Sequence, residues 1–148
     1  MRPTPPLRQV LILLILILGA AFTAWQGGPA LQPPPSSQQQ GDLDAAYQSR
    51  TSGQIAEVTA EVHKVLPDDR DGSRHQRFLI KLPSGLSVLV AHNIDLAPRV
   101  PDLQAGTPIT IRGQYEWNDR GGVLHWTHHD PRGRHEPGWI DYAGQRYE

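Results

Sequence analysis

The sequence predicts an all-β fold: a small five-stranded barrel of the OB type with a C-terminal hairpin, preceded by an N-terminal hydrophobic helix and a Pro/Gln-rich linker. Three observations predict it. Apolar residues recur, mostly with period two, in five segments between residues 55 and 130, which is strand spacing. Clusters of Gly, Pro, Asp and Asn punctuate those segments. A stretch with two prolines, unsuited to a long helix, separates the third segment from the fourth, as in a small Greek-key barrel. Closing the sheet also disposes of edge strands that a small domain would otherwise have to protect.

The elements follow in order. Arg2 and Arg8 precede the apolar run of residues 10–25, so 1–25 reads as a signal peptide or a membrane anchor. The run has 16 residues, somewhat short of the roughly 20 that span a bilayer, and no clean cleavage site follows it. Both readings place the remainder outside the cytoplasm, in a periplasmic or extracytoplasmic location. Residues 26–41 are Gly, Pro, Ser and Gln with little to bury, a linker stiffened by three consecutive prolines. Residues 42–52 suit a short helix with Asp42 or Asp44 near its start. The barrel domain then occupies 53–148. Its first strand spans 55–66, with Val58, Ala60 and Val62 alternating against Glu57, Thr59 and Glu61. "PDDRDGSR", 67–74, is a turn. Strands follow at 75–82 and 86–93, an irregular segment at 94–106, and a strand at 107–117 with Ile109, Ile111, Gly113, Tyr115 and Trp117 on one face. "NDRGG" makes a hairpin loop, residues 123–130 the return strand, and 138–147 a final hairpin turning near Ala143-Gly144.

Composition excludes several functions. There is no cysteine among the 148 residues, so neither a disulfide framework nor a thiolate zinc site exists. With 14 basic and 15 acidic residues, the chain is not built to coat nucleic acid by charge alone. "DDRDG" lacks the first ligand and the distant glutamate of a calcium loop, and reads as a solvated turn.

The segments "DDRDGSRHQRF", "AHNIDLAPR", "EWNDRGGVLHWTHHDP" and "GRHEPGW" together resemble a bacterial family catalogued as domain of unknown function 3465, over residues 53–147. The resemblance implies an exported bacterial protein and no settled activity. "LVAHNIDLAP" is also similar to a passage of staphylococcal-nuclease-like domains, which are OB-type barrels. Arg99 stands where that motif has glutamate, so no catalytic arginine–glutamate pair is carried over.

The densest chemistry is "HWTHHDPRGRH", 125–135, which holds four of the seven histidines. As a strand it would direct Leu124, Trp126 and His128 inward, and His125, Thr127 and His129 outward. Trp126 would pack over Gly113 in the core. His125 and His129 would then stand about 13 Å apart at ~3.3 Å per residue, too far for one ion. A divalent metal site of His128, His129, Asp130 and His135 requires the chain to fold back after Pro131. The bland reading makes these histidines hydrogen-bonded surface or rim groups. Antiparallel pairing would bring His75, Arg77, His92 and Asn93, at strand ends, toward His128, His129, Asp130, Arg134 and His135. Asn93 or Asp95 would cap the turn that follows. Trp117 and Arg120 would offer a stacking surface for a sugar or base.

The leading expectation is a recognition domain without cofactor, whose His/Arg/Trp surface binds an anionic or carbohydrate-like ligand: an oligonucleotide, a glycan or an envelope protein. A metal-dependent phosphodiester hydrolase is the alternative. The membrane is a further partner if the N-terminal segment stays uncleaved. Oligomeric state is left open.

Overall fold

The computed structural model describes residues 37–148. The expected signal or anchor and the linker up to residue 36 lie outside the described residues. Among the described residues, no helix is long and apolar enough to cross a membrane.

One short helix precedes a mostly β structure. Helix α1 covers Ser37–Ser49, earlier than the predicted 42–52, so the last residues of the expected linker are helical. It packs through Leu43 and Ala46, both buried. The strands are β1 (Gln54–Asp69), β2 (His75–Lys81), β3 (Ser87–Asn93), β4 (Pro108–Glu116), β5 (Val123–His125), β6 (Trp139–Tyr142) and β7 (Gln145–Tyr147). They form one seven-stranded sheet in the order β1-β2-β3-β5-β4-β6-β7. A further antiparallel pairing of β1 with β4 joins the first five strands in a ring. β3 and β5 are the parallel pair of that ring.

Period-two patterning produces the core. Val58, Val62, Phe78, Ile80, Val88, Val90, Ile109, Ile111, Tyr115 and Leu124 are buried on the inner face, and their alternating neighbours are partly exposed. The β4–β5 hairpin sets Tyr115 opposite Leu124. β6 and β7 form the C-terminal hairpin.

Two strands depart from the sequence reading. β1 runs through Pro67 to Asp69, where a turn was predicted. Register shifts at Val62/Lys64 and Leu66/Asp69 absorb the residues that do not pair, and a bulge is where a strand tolerates proline. β5 stops at His125 instead of continuing to residue 130. Trp126 has a φ of 52°, in the left-handed region, which breaks the strand and its alternation. Thr127 and His128 are therefore both buried. Trp126 is only half-buried and lies outside the core in which it was predicted.

Candidate functional site

The site is built where β4 changes neighbours. β5 pairs with residues 114–116 of β4, and β6 pairs with residues 109–112. Residues 126–138 leave the sheet between these two pairings and return beside their own start: Gly138 donates its amide to the His128 carbonyl at 3.0 Å. This is a compact loop with closed ends. Two glycines allow the backbones to touch. A Cβ on Gly113 would lie 2.5 Å from the His125 carbonyl oxygen, and one on Gly138 would lie 2.0 Å from that of Trp126. Gly113 therefore receives backbone and the Thr127 methyl, where the sequence reading had placed the Trp126 ring.

Asp130 organises the loop from within. Its Oδ1 accepts the Arg132 amide at 3.0 Å, and its Oδ2 accepts the Arg134 amide at 2.8 Å and Arg134 Nε at 3.2 Å. The hydrogen bond from Arg132, reinforced by those from Arg134, holds this carboxyl far below the ordinary carboxylate range. Arg112 on β4 ties down the far side of the loop, donating to the Pro137 carbonyl and the Glu136 carboxylate.

The loop carries a stack of rings. The His125 and His135 imidazoles both stack on the Trp126 indole, with centroids 4.8 and 4.6 Å away. His128 meets His135 edge-on at 5.0 Å. Together they form one wall of a cavity of about 450 Å³. The outer face of β2 and β3 supplies further lining through His75, Ala91 and Asn93, together with Ser73 and Leu96. Arg134 completes the lining, and no Asp or Glu is part of it. His75 pairs directly with Asn93 in the ladder, which places the two side by side. Asn93 Oδ1 also caps the next turn, accepting the Asp95 amide at 2.9 Å.

Burial opposes the charging of two of these rings. It lowers the pKa of His128, against the opposing hydrogen bond to the His129 carbonyl, with repulsion from His135 adding to it. Burial lowers that of His125 too, while Glu116 pulls the other way. His125 Nε2 lies 3.7 Å from Glu116 Oε1 and is buried without a hydrogen-bond partner.

Of the residues singled out from the sequence, His75, Asn93, His125, His128, Arg134 and His135 meet at this cavity. Arg77 lines an adjoining cavity of about 390 Å³ that shares His75, Ala91 and His125 with the first. His92 points inward and is fully buried. Its Nε2 donates to the Pro98 carbonyl at 3.0 Å and its Nδ1 accepts from the Thr127 hydroxyl at 2.8 Å. It closes the core together with Gln76, which bonds Val100 through both amide atoms. His129 is exposed and lies outside the lining. Trp117 sits elsewhere, donating to the Tyr47 carbonyl of α1 beneath the Arg50 guanidinium, and Arg120 is exposed on the hairpin loop. Among the described residues, no three His, Asp or Glu side chains are grouped so as to hold a metal ion. Around Asp130, the backbone amides and Arg134 already occupy the carboxylate.

Sequence reasoning missed Ser73, Ala91, Leu96 and the outward Trp126. Ala91 was within reach: it shares the outer face with Asn93, and its small side chain leaves a hollow between larger neighbours.

The family model described as "Protein of unknown function (DUF3465)" matches residues 30–148. No curated protein matches the chain.

Proposed function

We propose that this chain, which belongs to the DUF3465 family, is a recognition domain: an OB-type barrel that binds an anionic ligand in the cavity between β2–β3 and the 126–138 loop. The N-terminal segment would export it, or tether it, on the outer side of the cytoplasmic membrane. One observation carries the reading. Four imidazoles and a guanidinium line the cavity, and no carboxylate does. The nearest acids have partners of their own: Asp130 in Arg132 and Arg134, Asp95 in Arg74, and Glu116, which lies beside His125, in Gln114.

Burial lowers the pKa of His125 and His128, so these two rings are held neutral at pH 7 and charge only in mild acid. An anion favours the protonated rings, so binding takes up protons and tightens as pH falls below about 6.5. The groups that set this response are Glu116 beside His125, Asp130 beside His135, and Arg134. Titration calorimetry with sulfate on the full chain in detergent tests it. Binding should be about tenfold tighter or more at about pH 5.5 than at about pH 7.5. A His125→Gln/His128→Gln variant, which removes the two rings whose pKa burial lowers, should narrow that difference. A chain that takes up no anion at either pH would overturn the proposal.

A further inference from the structure

We infer that the group selected by this cavity is a phosphate that still carries a proton, in preference to sulfate or a phosphodiester. The inference rests on the anion-binding reading above and specifies its ligand.

The hydrogen bonds of the imidazoles decide it. His75 Nδ1 lies 2.8 Å from the Ser73 carbonyl, and His128 Nδ1 lies 2.8 Å from the His129 carbonyl. A carbonyl oxygen only accepts, so each Nδ1 carries the hydrogen. In the neutral ring Nε2 is then bare and can only accept. His135 Nδ1 is held in the same way by the Glu136 carbonyl at 2.8 Å, but its Nε2 lies 3.9 Å from Asp130 Oδ2, so His75 and His128 supply the acceptors that the ligand meets. Donors come from two others. Asn93 uses Oδ1 for the Asp95 amide, which leaves its NH2 to donate. Arg134 commits Nε to Asp130, but its side chain is 62% exposed and keeps the rest of its fork.

A ligand that matches this lining must accept from Asn93 and Arg134 and donate to His75 and His128. Sulfate and phosphodiesters hold no proton near neutrality. They would set an oxygen lone pair against each bare Nε2. Inorganic phosphate keeps one P–O–H as the dianion, enough for one bare Nε2, and two as the monoanion, enough for both, while its other oxygens accept. A phosphate monoester does so only in mild acid, since its second pKa is about 6. A cavity of about 450 Å³ has room for an ester's organic body as well as for the group.

The test is calorimetry on the full chain in detergent with inorganic phosphate, glycerol phosphate and sulfate. At about pH 7.5, where unperturbed imidazoles are mostly neutral, inorganic phosphate should bind at least about tenfold more tightly than sulfate. His75→Lys replaces an acceptor by a donor at a half-buried outer-face position, and should narrow that gap by raising sulfate affinity. Near pH 6, glycerol phosphate that outbinds inorganic phosphate would mark an ester as the ligand; the reverse order would mark the free ion. Equal affinities for phosphate and sulfate at about pH 7.5, or a gap unchanged in His75→Lys, would overturn the inference and leave the anion site standing. Absence of sulfate and phosphate binding at about pH 5.5 as well would remove the site itself.

Discussion

Trp126 shows how one residue redirects a segment. A left-handed φ costs a residue with a Cβ about 1–2 kcal/mol, and glycine almost nothing. The ring stack on His125 and His135 offsets that cost. Trp126→Ala loses the stack and keeps the strain, whereas Trp126→Gly loses both. The glycine variant should therefore be at least as stable as the alanine variant, by thermal melting. A clearly less stable glycine variant would mean an ordinary strand at 126. His92 sets the acid response of the fold. Burial lowers its pKa, and repulsion from His128 contributes. The unfolded chain then binds more protons than the folded one below about pH 6.5, so stability is complete above that pH and declines as pH falls through it. His125 and His128 shift in the same direction and add to the decline. Asp130, also depressed, adds a second loss that begins only below about pH 4. Denaturant midpoints without ligand should fall from about pH 7 to about pH 5. His92→Leu should lower stability by about 1–3 kcal/mol at neutral pH, because Thr127 and Pro98 lose their partner, and should flatten the upper window. A midpoint constant from about pH 7 to about pH 5 would refute this assignment.

At the level of elements, the central device is the edge of β4 that β5 and β6 share. The loop between them closes because Gly113 and Gly138 admit backbone where a side chain would collide. Gly138→Ala should destabilise the protein by about 1–3 kcal/mol through overpacking, and should weaken anion binding by displacing residues 126–128. An alanine variant with unchanged melting and affinity would show that the loop is not held there. The strands themselves were readable, since alternation of apolar residues identifies β1, β2 and β4 and the inner face of each. Their ends were less so. The sixteen-residue β1 passes through Pro67 by bulging, and a composition rich in turn formers conceals that. β5 was overextended because alternation in "VLHWTH" looks regular, and nothing local announces a positive φ at tryptophan.

At the scale of the molecule, the described residues 37–148 lie in one compact unit. That unit should fold without the preceding residues and give circular dichroism dominated by strand. Removing residues up to 52 should lower its stability by about 2–5 kcal/mol, because Leu43 leaves the core with α1. A helix-dominated spectrum, or no loss of stability in the shorter chain, would contradict this architecture. The sequence by itself determined the mostly β class, the inner face of the strands, the polar 125–135 segment and the family resemblance. Each of these is written in local order and composition, which survive without a fold. Tertiary structure alone decided which histidines share a cavity. His92 and His75 stand at neighbouring strand ends, yet pleating sends one into the core and the other to the pocket wall. His128 and His135 join His75 only because Asp130 folds the loop back and β4 supplies two glycine gaps. These are contacts between residues far apart in the chain. Their geometry depends on register and on one inverted φ, and neither leaves a mark on the spacing of the residues.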